Sequence, residues 1–345
     1  MKFSLFFFDG DGASPRKNPY RLLLESAQFA DENGFTAVWT PERHFHAFGG
    51  LYPNPSLTSA ALATSTQHIQ IRAGSLVLPL HHPVRVAEDW AVIDQLSQGR
   101  AALAVASGWT MDEFILSRDP HGSRRTVMWK SLEIIQRLWK GDAIPFEDAN
   151  GRMVEAKALP RPLQSSIPIW ITSQSTETFI EAGRTGAHVL TSLLGGDVND
   201  VAGKIRKYRD AWDKQGHEKP KGTVSLMVHT FLGADEEEVK RDIREPFGAY
   251  LKTHYGLLEQ LAKGMGLDVS LDDFSDDDLD AILSYGIDGF IKQRSLIGTP
   301  EGCLNLVKEF AEAGVDELCC LIDFAQDDVG ALGSLEYLNQ LKSMC

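Results

Sequence analysis

Trp39-Thr40-Pro41-Glu42-Arg43-His44-Phe45-His46-Ala47-Phe48-Gly49-Gly50-Leu51-Tyr52-Pro53-Asn54-Pro55 is the stretch on which the fold turns. It begins at the end of a short apolar run, Ala37-Val38-Trp39, that reads as a buried strand, and it leads into a helical pattern at Pro55. Between the two, Glu42, Arg43, His44 and His46 crowd among aromatics. Charged and imidazole groups at the end of a strand fit an active site at the mouth of a βα unit. Read without context, the same loop is a polar segment whose histidines cap neighbouring backbone, and both readings stand at this point.

Working outward, the pattern repeats. Strands are predicted at Phe3–Phe8, Ala37–Trp39, Ile69–Leu78, Ala101–Ala106, Ile167–Thr172, His188–Thr191, Thr223–Phe231 and Glu317–Ile322. Helical periodicity fills Pro19–Glu32, Pro55–Thr66, Pro83–Ser97, Ser123–Trp139, Ser175–Arg184, Val198–Gln215 and Thr299–Ala313. Prolines stand near several helix starts, and Gly34, Gly99, Gly141, Gly186, Gly216 and Gly314 stand at or just past the ends, where a left-handed cap favours glycine. Alternating βα units with right-handed crossovers predict an α/β fold, a (β/α)8 TIM barrel. An open doubly wound sheet is weakened by the lack of a Gly-x-Gly-x-x-Gly turn after Phe8.

Composition sets the frame. A chain of 345 residues with 43% apolar side chains and seven Trp can build a large core, and a barrel of this length is expected to be one domain over 1–345. No tract is long enough to cross a bilayer, and Phe3–Phe8 reads as a strand rather than a signal peptide, so the expectation is a soluble cytoplasmic protein with no membrane partner. The four cysteines, at 303, 319, 320 and 345, have no metal spacing. A net charge of −14 argues against general nucleic-acid binding. There is no Walker loop, zinc spacing or Ser-His-Asp order.

Two stretches break the repeat and read as insertions. Residues 143–166 carry Ile144-Pro145-Phe146 and Met153-Val154 around an Asn150-Gly151 turn, a small hairpin expected to cover one barrel face. Residues 235–298, the largest insertion, fall between strands seven and eight and are expected to form a mobile helical lid. Within it, Asp272 to Asp278 lacks the glycine and terminal glutamate of a calcium loop, so a helix start with Ser275 as N-cap is the better reading.

Four stretches resemble the bacterial luciferase-like flavin monooxygenases over nearly the whole chain, and within them the group found beside polyketide and nonribosomal peptide synthases. They are Trp39 to Phe45; Ala73-Gly74-Ser75-Leu76-Val77-Leu78-Pro79 with His82 to Asp89; Asp94-Gln95-Leu96-Ser97-Gln98-Gly99-Arg100; and Ser173-Gln174-Ser175-Thr176-Glu177-Thr178. The resemblance implies an FMN site at the C-terminal mouth of the barrel, reduced FMN as co-substrate, and O2 activation through a flavin C4a-(hydro)peroxide. It further implies a flavin reductase as supplier of FMNH2, a homodimer, and a natural-product substrate that is hydroxylated or takes up oxygen, free or on an acyl or peptidyl carrier protein. The same barrel with a deazaflavin and no oxygen, and a flavin-binding protein without turnover, are the alternatives.

Physical chemistry assigns roles within that resemblance. Ser173, Gln174, Ser175 and Thr178 lie where a helix opens after the fifth strand, a place suited to flavin phosphate and equally to plain N-capping. Ser107, Gly108 and Trp109 follow the fourth strand, where the family touches phosphate and ring edge. Bacterial luciferase has arginine where this chain has Ser107, so the phosphate charge must be met elsewhere. Gly74 and Ser75 stand where the family places a non-prolyl cis peptide against the ring; a β-bulge is the alternative. Arg43 takes the place of luciferase's essential histidine and cannot act as a base near neutral pH, so light emission is not expected. His44 is the expected proton-transfer group, Arg43 an anion or substrate anchor, and Glu42 the carboxylate that orients either. His46 is a weaker candidate, and His81 and His82 come next along the mouth. Arg118, Arg124, Arg125 and Lys130 form the basic cluster expected to meet an acidic carrier.

Overall fold

The computed structural model describes residues 1–8, 17–47, 49–193, 196–217, 221–253, 287–324 and 328–345, with the backbone alone at 249 and 251–253. Its strands are β1 (Lys2–Phe6), β2 (Ala37–Thr40), β3 (Gln70–Val77), β4 (Ala101–Ala106), β5 (Ile144–Glu147), β6 (Met153–Ala156), β7 (Ile169–Thr172), β8 (His188–Ser192), β9 (Val224–Leu232), β10 (Ser295–Gly298) and β11 (Glu317–Leu321). The principal helices are α1 (Arg21–Glu32), α2 (Pro55–Ser65), α3 (Pro83–Leu96), α4 (Arg124–Lys140), α5 (Thr176–Thr185), α6 (Val198–Gln215), α7 (Glu236–Thr253), α8 (Pro300–Glu312) and α9 (Asp328–Ser343). Among the described residues no helix is long and apolar enough to cross a membrane.

Neighbouring strands β1, β2, β3, β4, β7, β8, β9 and β11 pair in parallel, and β9 bonds both β8 and β11, so the ring closes as a (β/α)8 barrel. Strand alternation sorts the side chains. In β4, Leu103 and Val105 pack in the cluster that contains helix residues such as Trp90 and Ile135, whereas Ala102 and Ala104 join the inner cluster with Trp39 and Trp170. The small alanines leave room for those indoles. Gly141, Gly186 and Gly216 are the left-handed caps of α4, α5 and α6, a conformation that other residues adopt at a cost.

Two elements escaped the sequence reading. Strand β10 is four residues long and pairs only with the upper part of β9, which is too short for an alternation pattern to stand out. Helix α9 contains Gly330 and Gly333, which weaken its intrinsic helical signal; it is carried instead by Ala331, Leu335, Leu338 and Leu341 against the core.

Residues 144–156 form the antiparallel pair β5–β6, and Ile144 packs with Ala87 of α3 and Leu138 of α4. Between β9 and β11 come α7, helical residues 287–294, β10 and α8. The described ends of this excursion are seated on the barrel, and most of the residues expected to form the mobile lid, 254–286, lie outside the described residues. Val239, Ile243, Phe247, Ile287, Phe290 and Ile291 are all buried. His229 of β9 sits among the rings of Phe247, Tyr250, Phe290 and Phe324 at 5.1–5.5 Å. The acidic run Asp272 to Asp278, with Ser275, lies outside the described residues.

At the start of β8, His188 lies 4.3 Å from the Trp170 ring, and its Nδ1 accepts the Thr223 N–H at 2.8 Å. Burial, with help from the Arg72 charge, pushes its pKa down to about 4, so the folded chain holds it neutral. The unfolded chain takes up a proton near 6.5, so this stability is complete above that pH and is lost as pH falls through about 4. It amounts to on the order of 3 kcal/mol. In H188N the amide oxygen can replace Nδ1 without titrating. Melting temperature should then decline less between pH 6.5 and 4 than in the parent; parallel curves for the two proteins would remove His188 as the cause.

Candidate active site

The C-terminal ends of β2, β3, β4, β7 and β8 surround a cavity of about 230 Å³. Glu42 and Arg43 enter it from the end of β2, Gly74 and Ser75 from β3, Gly108 and Trp109 from beyond β4, and Ser173 and Gln174 from beyond β7. Phe6, Leu190 and Met227 supply an apolar part of the wall, and Tyr250 of α7 reaches it from the excursion.

Glu42 is the most heavily bonded group. Its Oε1 meets His44 Nε2 at 2.9 Å and His81 Nε2 at 2.6 Å, while Oε2 accepts the Val77 N–H at 2.6 Å. Burial works against charge on Glu42, but the bonds from His44, His81 and Val77 outweigh it and hold the carboxyl below the usual carboxylate range. Burial likewise works against protonation of His81, yet the hydrogen bond and charge of Glu42, with Asp89 behind, raise its pKa above the ordinary imidazole value. His44, expected to face the flavin, is not on the cavity wall: its Nε2 is turned to Glu42. His46 is exposed, and His82 lies 5.1 Å from Phe146 of the hairpin, a positioning contact.

Arg43 is 5% exposed. Its Nη1 donates to Thr110 Oγ1 at 2.6 Å and Glu113 Oε1 at 3.0 Å, and its Cζ stands 4.7 Å from the Trp109 ring centre. Glu113 also accepts the His44 N–H. Nothing in the sequence pointed to Glu113, because it sits in a short 3-10 turn and is brought to Arg43 across 70 residues.

The Gly74–Ser75 peptide is cis, and the β3–β4 register shifts between Ala73 and Leu76, so both features anticipated for this spot occur together. A Cβ on Gly74 would stand 2.8 Å from Trp39 Cβ and 3.0 Å from the Phe6 ring, which leaves space for glycine alone. Ser75 Oγ and Thr172 Oγ1 share a hydrogen bond of 2.6 Å.

A second cavity of about 270 Å³ adjoins the first through Thr172, Ser173 and Gln174. Ser107, Arg125, Ser175 and Thr178 line it. Ser175 is the N-cap of α5, accepting the Thr178 N–H at 3.3 Å, and its Oγ lies 2.9 Å from Thr178 Oγ1. Capping and cavity lining therefore coincide in one residue. Beyond the shared Thr172 and Ser173, the chamber adds three hydroxyls, a helix N-terminus and the Arg125 cation, a donor set suited to a phosphate. Arg125 was assigned from sequence to a carrier-docking cluster; the fold turns it into this cavity, while Arg124 Nη1 donates to the His121 carbonyl. Arg125 lies on the first turn of α4, and only the packing of α4 beside α5's N-terminus could identify it.

The family model for luciferase-like monooxygenases matches residues 1–317. The oxygenase component of a flavin-dependent trigonelline monooxygenase from Acinetobacter baylyi is 27% identical, over 97% of this chain and 93% of that protein. The 4-hydroxyprotoasukamycin monooxygenase of Streptomyces nodosus subsp. asukaensis is 28% identical, over 68% of this chain and 65% of that protein. In fold, the chain is similar to the oxygenating constituent of 3,6-diketocamphane monooxygenase from Pseudomonas putida, solved with FMN, at a TM-score of 0.78 and 20% identity over 99% of this chain and 97% of that one. The chain belongs to the luciferase-like monooxygenase family, and its relatives include flavin-dependent monooxygenases.

The Glu42 bonds make a measurable claim. In E42Q the neutral amide can still bond one imidazole but no longer supplies charge, so the His81 ring should titrate at lower pH than in the parent. NMR titration of the labelled imidazoles reads this directly; an unchanged His81 midpoint would mean that Glu42 does not hold its proton.

Proposed function

We propose that this enzyme is the oxygenase half of a two-component system, taking reduced FMN from a separate flavin reductase and using O2 to oxygenate a natural-product intermediate, free or carrier-borne. The carrying observation is the pair of adjoining chambers, one with a cation, three hydroxyls and a helix N-terminus, the other with glycine, apolar and polar walls at ring scale. The two-component arrangement is supported by likeness to a relative that is named as an oxygenase component, and the natural-product role by likeness to the asukamycin enzyme. Exposed Leu57, Val92 and Leu96 on α2 and α3 support a homodimer.

Reduced FMN, when bound, supplies the two electrons with which O2 gives one oxygen atom to substrate and one to water. The residues of the chain do the rest. Arg125, Ser107, Ser175 and Thr178 hold the phosphate end, and Gly74, Ser75 and Gly108 let backbone approach the ring. Tyr250 and the aromatic seat around His229 close one side against water. Glu42 borders the cavity with its side chain fully buried, and the His81 side chain bonded to it is 26% exposed. A proton arriving from solvent at His81 thus has a hydrogen-bonded route to Glu42, beside the cavity, and His44 bonds the same carboxylate oxygen.

Replacing Arg125 with Ala should raise the dissociation constant for FMN by roughly 10- to 100-fold, since a charge-assisted bond contributes about 1.5–3 kcal/mol. Riboflavin, which lacks the phosphate, should bind parent and variant alike. Equal weakening of both ligands would move the phosphate away from this chamber. S175A/T178A should act in the same direction, with about 1 kcal/mol of stability also lost with the N-cap. Oxygen uptake with FMNH2 tests the reaction class: no uptake, together with turnover of a reduced deazaflavin, would overturn the oxygenase reading.

A further inference from the structure

We propose that Arg43 is the anchor for a carboxylate on the substrate, so that the enzyme acts on an organic acid. The inference rests on the oxygenase reading above and names its substrate class. Arg43 is buried on the cavity wall with only part of its guanidinium in use. Nη1 is committed to Thr110 and Glu113, and Trp109 covers one face. Nε has no hydrogen-bond partner, and Nη2 bonds no described residue. Those two nitrogens form one edge of the planar fork, with their N–H bonds parallel; Nε is itself covered, so a ligand reaches this edge from the side of Nη2.

A buried cation does not leave such an edge unpaired without a cost in stability, and the chain fully satisfies both buried Arg72 and half-buried Arg100. In Arg72, Nε and Nη2 both meet Gln70 and Nη1 meets Glu317. In Arg100 every nitrogen meets a carbonyl or hydroxyl. Arg124 also leaves Nε unpaired, but it lines neither of the two cavities.

Most of the other polar side chains that line the cavity already have partners. Glu42 accepts from His44, His81 and Val77; Glu113 from Arg43 and His44; Ser75 pairs with Thr172, and Gln174 with Ser192. The ligand group that fits must therefore accept two parallel N–H bonds, which is the geometry of a carboxylate. Glu113 meets the guanidinium through one oxygen on Nη1, away from the open edge, and thereby fixes its plane. The FMN phosphate has its own cation, Arg125, in the neighbouring chamber, so the Arg43 edge is left for substrate.

Calorimetry in saturating FMN tests this with benzoate against benzamide and hexanoate against hexanamide. Each acid should bind at least about tenfold more tightly than its amide. R43K, which keeps the charge and loses the fork, and R43Q should abolish that preference, whereas T110A, altering the other edge, should retain it. The comparison in the parent protein stands even if an Arg43 variant fails to fold. Acids binding no better than amides, or neither binding, while FMN still binds, would overturn the carboxylate anchor and leave the oxygenase reading in place. Failure of the parent to bind FMN at all would overturn that reading itself.

Discussion

Inside the barrel, one buried ion pair holds the structure that everything above it rests on. Arg72 of β3 meets Glu317 of β11 at 2.8 Å, with its guanidinium between the rings of Trp39 (4.6 Å) and Trp170 (4.2 Å). Taking both charges out of water costs several kcal/mol per ion, and such a pair persists only when the leftover donors and acceptors are satisfied. Here they are: Gln70 takes the other arginine nitrogens, Ser225 donates to Glu317, and the indole N–H groups donate to Ser4 and Ser225. The cluster ties β1, β2, β3, β7, β9 and β11 together across the lumen. It also fixes the floor of the active site, because Trp39 is the side chain against which Gly74 packs.

The arginines show how the fold separates structural from working groups. Arg72 and Arg100 have rigid, complete hydrogen-bond sets and face no cavity. Arg43 is as buried as a structural residue, but its donors are only partly used, and it borders empty space. Arg125 is exposed at the edge of a polar chamber, at low cost to the fold. Residue type and sequence position do not distinguish these cases. The count of satisfied nitrogens does, and that count exists only once the chain is folded.

This sets the boundary of what could be read from the sequence. Eight barrel strands were legible because each alternates with a helix long enough to show its period, and Gly74, Ser75, Ser175 and Thr178 were legible because they sit at strand ends or helix starts. Strand β10 was hidden by its length, and α9 by its glycines. Within the site, Glu42 and Arg43 were reachable from their place after β2. Glu113 and Arg125 were not, since each acts on a group delivered by a different βα unit. His44 is placed differently from the expectation. Its neighbourhood made it the natural proton carrier, but the turn after β2 aims Nε2 at Glu42 two residues back.

That inversion changes how the mouth of the barrel works. His44 and His81 both bond Glu42 Oε1, so the two imidazoles meet on one fully buried carboxylate next to the cavity. A carboxylate held below its usual pKa is a poor proton donor alone, but one bonded to a His81 whose pKa is raised can receive a proton as it gives one up. On the proposed reading, proton supply falls to this pair, on one side of the cavity. Arg43, fixed by Glu113 and Trp109, presents donors that cannot be lost near neutral pH. On the proposed reading, Arg43 holds an anion at this position, and proton traffic falls to Glu42 and His81.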